Sequence, residues 1–402
     1  MSHSNHVQSN RIMFILEKPY VSKFLKDSAI RLGAPVLDNF AAREALAGTN
    51  GARLVSPEEF RRLVLESDAP RIYSNSENAS EWISENLSHT KLPRNMALFK
   101  DKAAFRDLLR DLYPEYRYLA VDAEGLDALD PDTLPYPFII KPAVGFFSLG
   151  VHRVDTPADW SRVKAEIASE ISRIRDIYPE QVLDLSRYII EDVIEGEEFA
   201  VDAYYGANGE PIVLNILAHR FASAGDVSDR VYVSSKKVID NWREPVGSFL
   251  AELGRRAELA DFPVHAELRV GSDGVLRPIE VNPMRFAGWC VADFTFYAWG
   301  FDPYEYYLKG LAPDWSEIFK VREDNVYGVV VCDLPPGLDR SRIISADYEA
   351  LAAAFTRPLE VRRIDWTEYS VFAFVFAETS EDQTAEFDRF LGSDLTEFLK
   401  IE

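Results

Sequence analysis

The sequence predicts a mixed α/β and α+β chain: a doubly wound unit, a larger body built on hairpins, then a small α/β domain. Three observations carry this. Apolar strands alternate with helices over the first ninety residues, the pattern of a doubly wound sheet. Turn-separated strand pairs then occur at Glu197 to Leu217 and at His265 to Asn282. After about Pro313 the pattern restarts. The domain boundaries expected are 11–93, 94–313 and 320–402, with a lid subdomain at about 115–194.

Arg11 to Leu16 is apolar enough for a first buried strand. Lys23 to Leu32 reads as a helix closed by Gly33-Ala34-Pro35, Ala41 to Ala47 as another, and Pro57 to Glu66 as a third opened by Ser56-Pro57. Arg71 to Ser74 is a short strand. No GxGxxG follows the first strand, so dinucleotide binding is not expected there. Phe99, Ala103, Leu108, Leu109 and Leu112 have helical spacing, which predicts one helix over 99–112. Leu134-Pro-Tyr-Pro137 breaks the chain before strands at Phe138 to Lys141 and Val151 to Val154. The apolar stripe from Trp160 to Ile177 predicts the longest helix, and Arg187 to Val193 another strand. Pro245 is expected to open a helix reaching about Leu259, and Asp302-Pro303 a short one to Leu308. The last region predicts strands Tyr327 to Cys332 and Val371 to Ala377, with helices near Tyr348 to Phe355 and Thr384 to Leu391.

Composition narrows the function. The 402 residues carry a formal charge of −22, which disfavours nucleic acid or an anionic membrane as partner. No apolar run approaches membrane-spanning length, and Ile12 to Leu16 is too short for a signal-peptide core. The two cysteines, Cys290 and Cys332, form no CxxC pattern, so a reducing cytoplasm is the expected setting.

The richest stretch runs from His265 to Asn282. Asp273-Gly274 signals a two-residue turn, which pairs Ser272 with Val275. That register sets Glu267 opposite Glu280 and His265 opposite Asn282. Strand alternation then puts these four and Arg269 on one face, and Ala266, Leu268, Val270, Ile279 and Val281 on the other. Opposed like charges weaken a sheet. A Mg²⁺ ion between two carboxylates and an amide oxygen removes that cost. A solvated hairpin with its polar face outward fits the same pattern.

Other stretches carry weaker signals. Lys141 ends a strand and opens a loop with Gly145, Ser148 and Gly150, whose backbone N–H groups can cradle phosphate, although a plain hairpin turn has the same composition. Lys102, taken by itself, reads as a solvated helix lysine. In Glu191 to Asp202, alternation groups Glu198, Ala200 and Asp202, either as an exposed edge or as a carboxylate for ribose hydroxyls. No GxxxxGK[ST] occurs, which excludes a Walker-type enzyme.

In order, Asp101-Lys102, Lys141 to Val151, Glu191 to Asp202, and Glu267 with Glu280-Val-Asn-Pro283 resemble the ATP-grasp superfamily, over about Leu98 to Gly310. The resemblance implies an ATP-grasp fold whose nucleotide lies between two α+β subdomains, with an N-terminal pre-ATP-grasp domain. It implies that Lys102 and Lys141 contact ATP phosphates, Glu191 and the Val193 backbone adenine, and Glu198 ribose. Glu267, Glu280 and Asn282 would hold two Mg²⁺, or Mn²⁺ in their place, with Glu280 bridging. The run Asn282-Pro-Met-Arg285 departs from the family pattern by one extra residue before the arginine.

The implied reaction is ATP-dependent activation of a carboxylate as an acyl phosphate and its capture by an amine, releasing ADP and phosphate. Arg285 and Lys141 are the expected catalytic cations. Arg285, Arg220 and His219 are the expected substrate contacts, with Arg269, Lys236 and Lys237 as further cations that surface salt bridges would equally explain. The alternatives are an ATP-grasp phosphotransferase or carboxylase, and a non-catalytic ATP-binding regulator. The expected partners are a small carboxylate and an amine. The C-terminal region would cover the substrate cleft or a homodimer interface. The aromatic run Trp289 to Trp299 is expected in the core.

Overall fold

The structure is a computed structural model and describes residues 12–145, 150–174, 184–223, 226, 228–322 and 324–402. Its first unit is a four-stranded parallel sheet of β1 (Ile12–Ile15), β2 (Pro35–Leu37), β3 (Arg53–Val55) and β4 (Arg71–Ser74), in the order β3-β2-β1-β4. Helices α1 (Lys23–Leu32), α2 (Phe40–Ala45) and α3 (Pro57–Glu66) connect its strands. Local chemistry sets their ends. The Ser22 and Ser56 hydroxyls accept from the third residue onward, and Gly33 ends α1 in the left-handed region at φ 59°. Met13, Phe14 and Ile15 are fully buried. The Ser74 N–H, at the carboxyl end of β4, donates to the Met284 carbonyl at 2.9 Å and fastens this unit to the loop after the acidic hairpin.

The helix expected over 99–112 is two helices, α4 (Leu92–Lys100) and α5 (Lys102–Leu109). Asp101 adopts extended backbone, and its carboxylate accepts from the Ala103 and Ala104 N–H groups. An N-cap beats continuous helix here, because it satisfies two otherwise orphaned donors.

Next comes an antiparallel sheet, β5 (Tyr118–Asp122), β6 (Phe138–Val144), β7 (His152–Val154) and β8 (Asp184–Asp192), ordered β5-β8-β6-β7 and joined by α6 (Pro157–Ile174). Phe138, Ile140, Trp160, Val163, Tyr188 and Ile190 give it a core of its own. The continuation of α6 expected to Ile177 lies outside the described residues.

The largest sheet has eight strands. β9 (Glu197–Tyr205), β10 (Pro211–Arg220), β11 (Val231–Ser235), β12 (Phe262–Val270) and β13 (Leu276–Pro283) form one side of it. The far side comes from the C-terminal region, where β14 (Asn325–Asp333), β15 (Ile343–Ala346), β16 (Arg357–Arg363), β17 (Val371–Ser380) and β18 (Leu399–Ile401) follow. The order is β13-β12-β9-β10-β11-β14-β17-β16, so the C-terminal strands extend the sheet that carries the acids. β15 and β18 pair separately, over a second core that includes Phe355, Phe387, Phe390 and Phe398.

One face of this sheet packs on α7 (Lys236–Ala257), whose 22 residues compare with 18 described residues in α6. Pro245 lies inside α7 rather than at its start; Ser235 is the cap. An interior proline costs about 3 kcal/mol. Burial of Ile239, Val246, Phe249, Leu250 and Leu253 along one stripe offsets it.

Candidate active site

Ladder register builds the site. β12 runs antiparallel to both β9 and β13, and residues in register share a face. His265 stands opposite Asn282 and Glu267 opposite Glu280, while Asp202 and Ala200 of β9 flank His265 and Glu267. The sequence therefore predicted the pairing that the structure has, but by the wrong turn. The Gly271 N–H donates to the Val275 carbonyl at 3.2 Å, and Gly274 is left-handed at φ 73°, so the loop holds Ser272, Asp273 and Gly274. Near the turn the ladder is one residue out of the expected phase, with Val270 on Leu276 and Leu268 on Pro278. A bulge at Ile279 inserts one residue and returns Glu280 to Glu267. Ile279 is consequently half-buried rather than a core residue, and Pro278 takes the buried position. A proline is tolerated there because β13 is an edge strand.

The Asn282 amide donates towards Glu267 at 3.4 Å and Glu280 at 3.2 Å, and a flip would present its oxygen instead. Burial and the facing Glu280 push the Glu267 carboxyl well above the usual range. Burial also acts on Glu280, but Lys102 and Lys141 outweigh it and hold Glu280 below the usual range. A second carboxylate is thus disfavoured without a cation, which is the condition that a divalent ion relieves. Among the described residues no group of three or more His, Cys, Asp and Glu side chains gathers as a metal cage. Two carboxylates and an amide oxygen suit Mg²⁺, which takes its remaining ligands from phosphates and water.

The lysines of the two other motifs converge here. Lys102 opens α5 and donates to the Gly145 carbonyl at 3.2 Å, with Nζ 3.6 Å from Glu280. Lys141 is buried, 2.6 Å from Glu191. Glu191 is equally buried and takes Arg106 on its other oxygen at 2.8 Å. Burial raises the Glu191 carboxyl, but the two cations hold it down at about 2. Burial drives the Lys141 ammonium downwards, and repulsion from Arg106 and Lys102 adds to this against the upward pull of Glu191. Gly150 is left-handed at φ 72°, a conformation that glycine adopts without strain. Ser148 lies outside the described residues. Val193 follows directly on the end of β8.

Two expectations change. Glu198 is not an open carboxylate: it accepts from Arg269 Nε at 2.9 Å and lies 2.9 Å from His219 Nδ1. His219 and Arg220 are consecutive in β10, so they cannot both face the cleft. His219 pairs with Glu198 and stacks on Tyr232. Arg220 falls on the opposite face from His219, where it bonds Asp388 at 2.6 Å, so the structure does not bring it together with Glu198 and His219. Lys236 and Lys237 are likewise drawn to Asp240 and Glu381.

Arg285 donates to Glu77 at 3.3 Å, and Lys100 lies 3.6 Å from the same carboxylate. Burial pushes the Lys100 ammonium down, with Lys102 and Arg285 adding to the effect. Glu77 follows the carboxyl end of β4, where ligands of open parallel sheets gather. Sequence reasoning missed Glu77, Lys100 and Arg106, and no local pattern marks any of them. The aromatic run did go inward in part: Phe294 and Trp299 are buried, while Trp289 is half-buried against Tyr20 and Tyr369, and Phe296 is exposed.

Among the described residues, no helix is long and apolar enough to cross a membrane. A family model described as an ATP-grasp domain matches residues 134–293. Curated protein sequences give no match. The fold is similar to that of L-amino acid ligase from Bacillus licheniformis (TM-score 0.66, 18% identity, covering 98% of this chain and 99% of that one). It is similar to N5-carboxyaminoimidazole ribonucleotide synthetase from Thermotoga maritima (0.65, 14%, 97% and 99%). It is also similar to the biotin carboxylase domain of Hydrogenobacter thermophilus 2-oxoglutarate carboxylase (0.60, 14%, 98% and 90%), solved with MgADP, ADP and bicarbonate. Residues 134–293 thus match an ATP-grasp domain, and the fold of the chain as a whole is similar to that of these enzymes.

Proposed function

We propose that this chain is an ADP-forming carboxylate–amine ligase. The observation that carries the reading is the convergence of Lys102, Lys141 and Arg285 on an opposed carboxylate pair, an arrangement suited to a nucleotide's terminal phosphates and an acidic acceptor. Residues 94–313 would form the nucleotide-binding body, with 115–194 as its lid, 11–93 in front and 320–402 behind.

In this reading Lys102 and Lys141 neutralise the γ-phosphate. Glu191 and the Val193 backbone meet adenine, and Glu198 meets ribose by exchanging one of its present partners. Glu267, Glu280 and Asn282 hold Mg²⁺, which supplies charge neutralisation and alignment of the phosphates. A substrate carboxylate oxygen attacks the γ-phosphorus, and the bond to ADP breaks. Arg285, released from Glu77, holds the acyl phosphate. The amine then attacks the acyl carbon, phosphate leaves and a proton is lost to solvent. Closure over the site protects the acyl phosphate from water.

The test is ADP release with Mg²⁺ across paired carboxylates and amines, with hydroxylamine as a trap. An acyl phosphate yields a hydroxamate. ADP release that depends on bicarbonate or an alcohol alone, with no hydroxamate, would select the carboxylase or phosphotransferase reading. The similarity to a biotin carboxylase domain solved with bicarbonate keeps that second reading in view.

A further inference from the structure

The buried Arg106 guanidinium joins two sheets. Its Nε donates to Glu191 of β8 at 2.8 Å, and its two terminal nitrogens donate to the carbonyls of Pro278 at 2.8 Å and Ile279 at 2.9 Å. Its Cζ lies 5.0 Å from the centre of the Tyr116 ring and 5.5 Å from that of Phe105. We propose that Arg106 is a positioning residue that pins the Ile279 bulge, and so the pairing of Glu280 with Glu267, to the carboxylate Glu191. The proposal rests on the nucleotide and metal reading above.

Register decides which acids share the site face. On the turn side of Ile279 the ladder is out of phase with the acids. If the bulge slid one step towards Asn282, Ile279 would face Glu267 and Glu280 would leave the site face. The two carbonyls at the bulge are the groups whose direction distinguishes these arrangements, and Arg106 takes both. A planar fork can serve two carbonyls and a carboxylate together, whereas an ammonium on a flexible stem cannot hold that geometry. The same side chain links Lys141, through Glu191, to the strand that carries Glu280.

The experiment compares ADP binding with Mn²⁺ and in EDTA, by calorimetry and by Mn²⁺ electron paramagnetic resonance. In the wild type Mn²⁺ should tighten ADP binding; no such gain would sink the metal–nucleotide reading itself, before any variant is compared. Arg106→Lys should lose about tenfold to a hundredfold of the Mn²⁺-dependent gain, the usual scale for groups that orient metal ligands. Tyr113→Phe, which removes a 2.9 Å hydrogen bond to the Leu276 carbonyl outside the bulge, should keep it. An unchanged gain in Arg106→Lys, or an equal loss in Tyr113→Phe, overturns the proposal. If Arg106→Lys does not fold, Arg106→Gln takes its place. Failure of both to fold also overturns it, because Arg106 would then serve the core rather than the register.

Discussion

Glu267 stands directly across the β12–β13 ladder from Glu280, with the Asn282 amide donating towards both. The two acids are not equivalent. Glu280 has Lys102 at 3.6 Å, whereas Glu267 faces Glu280, Asp229 and Glu198. Folding therefore disfavours ionisation of Glu267. Because its folded pKa is raised, stability is lost as pH climbs from the ordinary carboxylate range through the raised value. Glu267→Gln should melt about 1–3 °C above the wild type in EDTA at pH 8, and the difference should shrink towards pH 5. Mg²⁺ with nucleotide should reverse the order. A variant less stable than the wild type in EDTA at pH 8 contradicts this account.

Glu280→Gln should leave the circular-dichroism spectrum unchanged and cut ADP formation by roughly 10²–10³-fold, the loss of several kcal/mol of charge stabilisation. Retained turnover would remove Glu280 from the metal site.

Glu191 gives an acid-side signature. Its pKa is depressed to about 2, so its contribution is complete above the ordinary carboxylate range and is lost as pH falls towards 2. Urea denaturation should show Glu191→Gln less stable by on the order of 3 kcal/mol at pH 7, narrowing steadily below pH 4.5. A gap that ignores pH would mean that the Lys141–Glu191–Arg106 cluster is not ionised as described.

In the proposed reaction the substrate carboxylate competes with Glu77 for Arg285. Arg285→Lys should raise KM for the acid by about tenfold or more, since an ammonium cannot grip a carboxylate bidentately, and leave KM for ATP within about twofold. Glu77→Gln should lower KM for the acid, because it frees the guanidinium. Steady-state kinetics with the acid varied decides both, and equal effects on ATP would place Arg285 elsewhere.

Gly196 has φ 130°, and an added Cβ would land on the Val270 carbonyl. Gly196→Ala should cost about 1–3 kcal/mol by backbone strain alone and weaken nucleotide binding, since it forces the 191–196 segment off the base of the acidic hairpin. Thermal melting and ADP titration read the two effects. A neutral substitution would show that the close approach is dispensable.

Where local chemistry decides, the elements were legible. Ser22, Ser56 and Gly33 mark α1 and α3 to the residue, and β4 and β9 follow their apolar patterns. Asp101 and Pro245 misled in opposite directions: one splits an apolar stripe that looked continuous, and the other sits inside a helix that it was expected to open. Both outcomes depend on which competing burial or cap wins. The acids were legible because strand period is local. Arg106 was not, since its partners lie 85, 172 and 173 residues away.

From its residue order alone, the chain determined that Glu267, Glu280 and Asn282 share a face and that Lys102 and Lys141 precede them in ATP-grasp order. Alternation and motif spacing need no partner to be read. Only the tertiary structure decided that a bulge at Ile279 corrects a three-residue turn, that His219 rather than Arg220 meets Glu198, and that the C-terminal strands complete the acid-bearing sheet. Apart from the turn, whose Gly271–Val275 bond is local, those outcomes turn on contacts between separate strands, whose free energies no local pattern encodes.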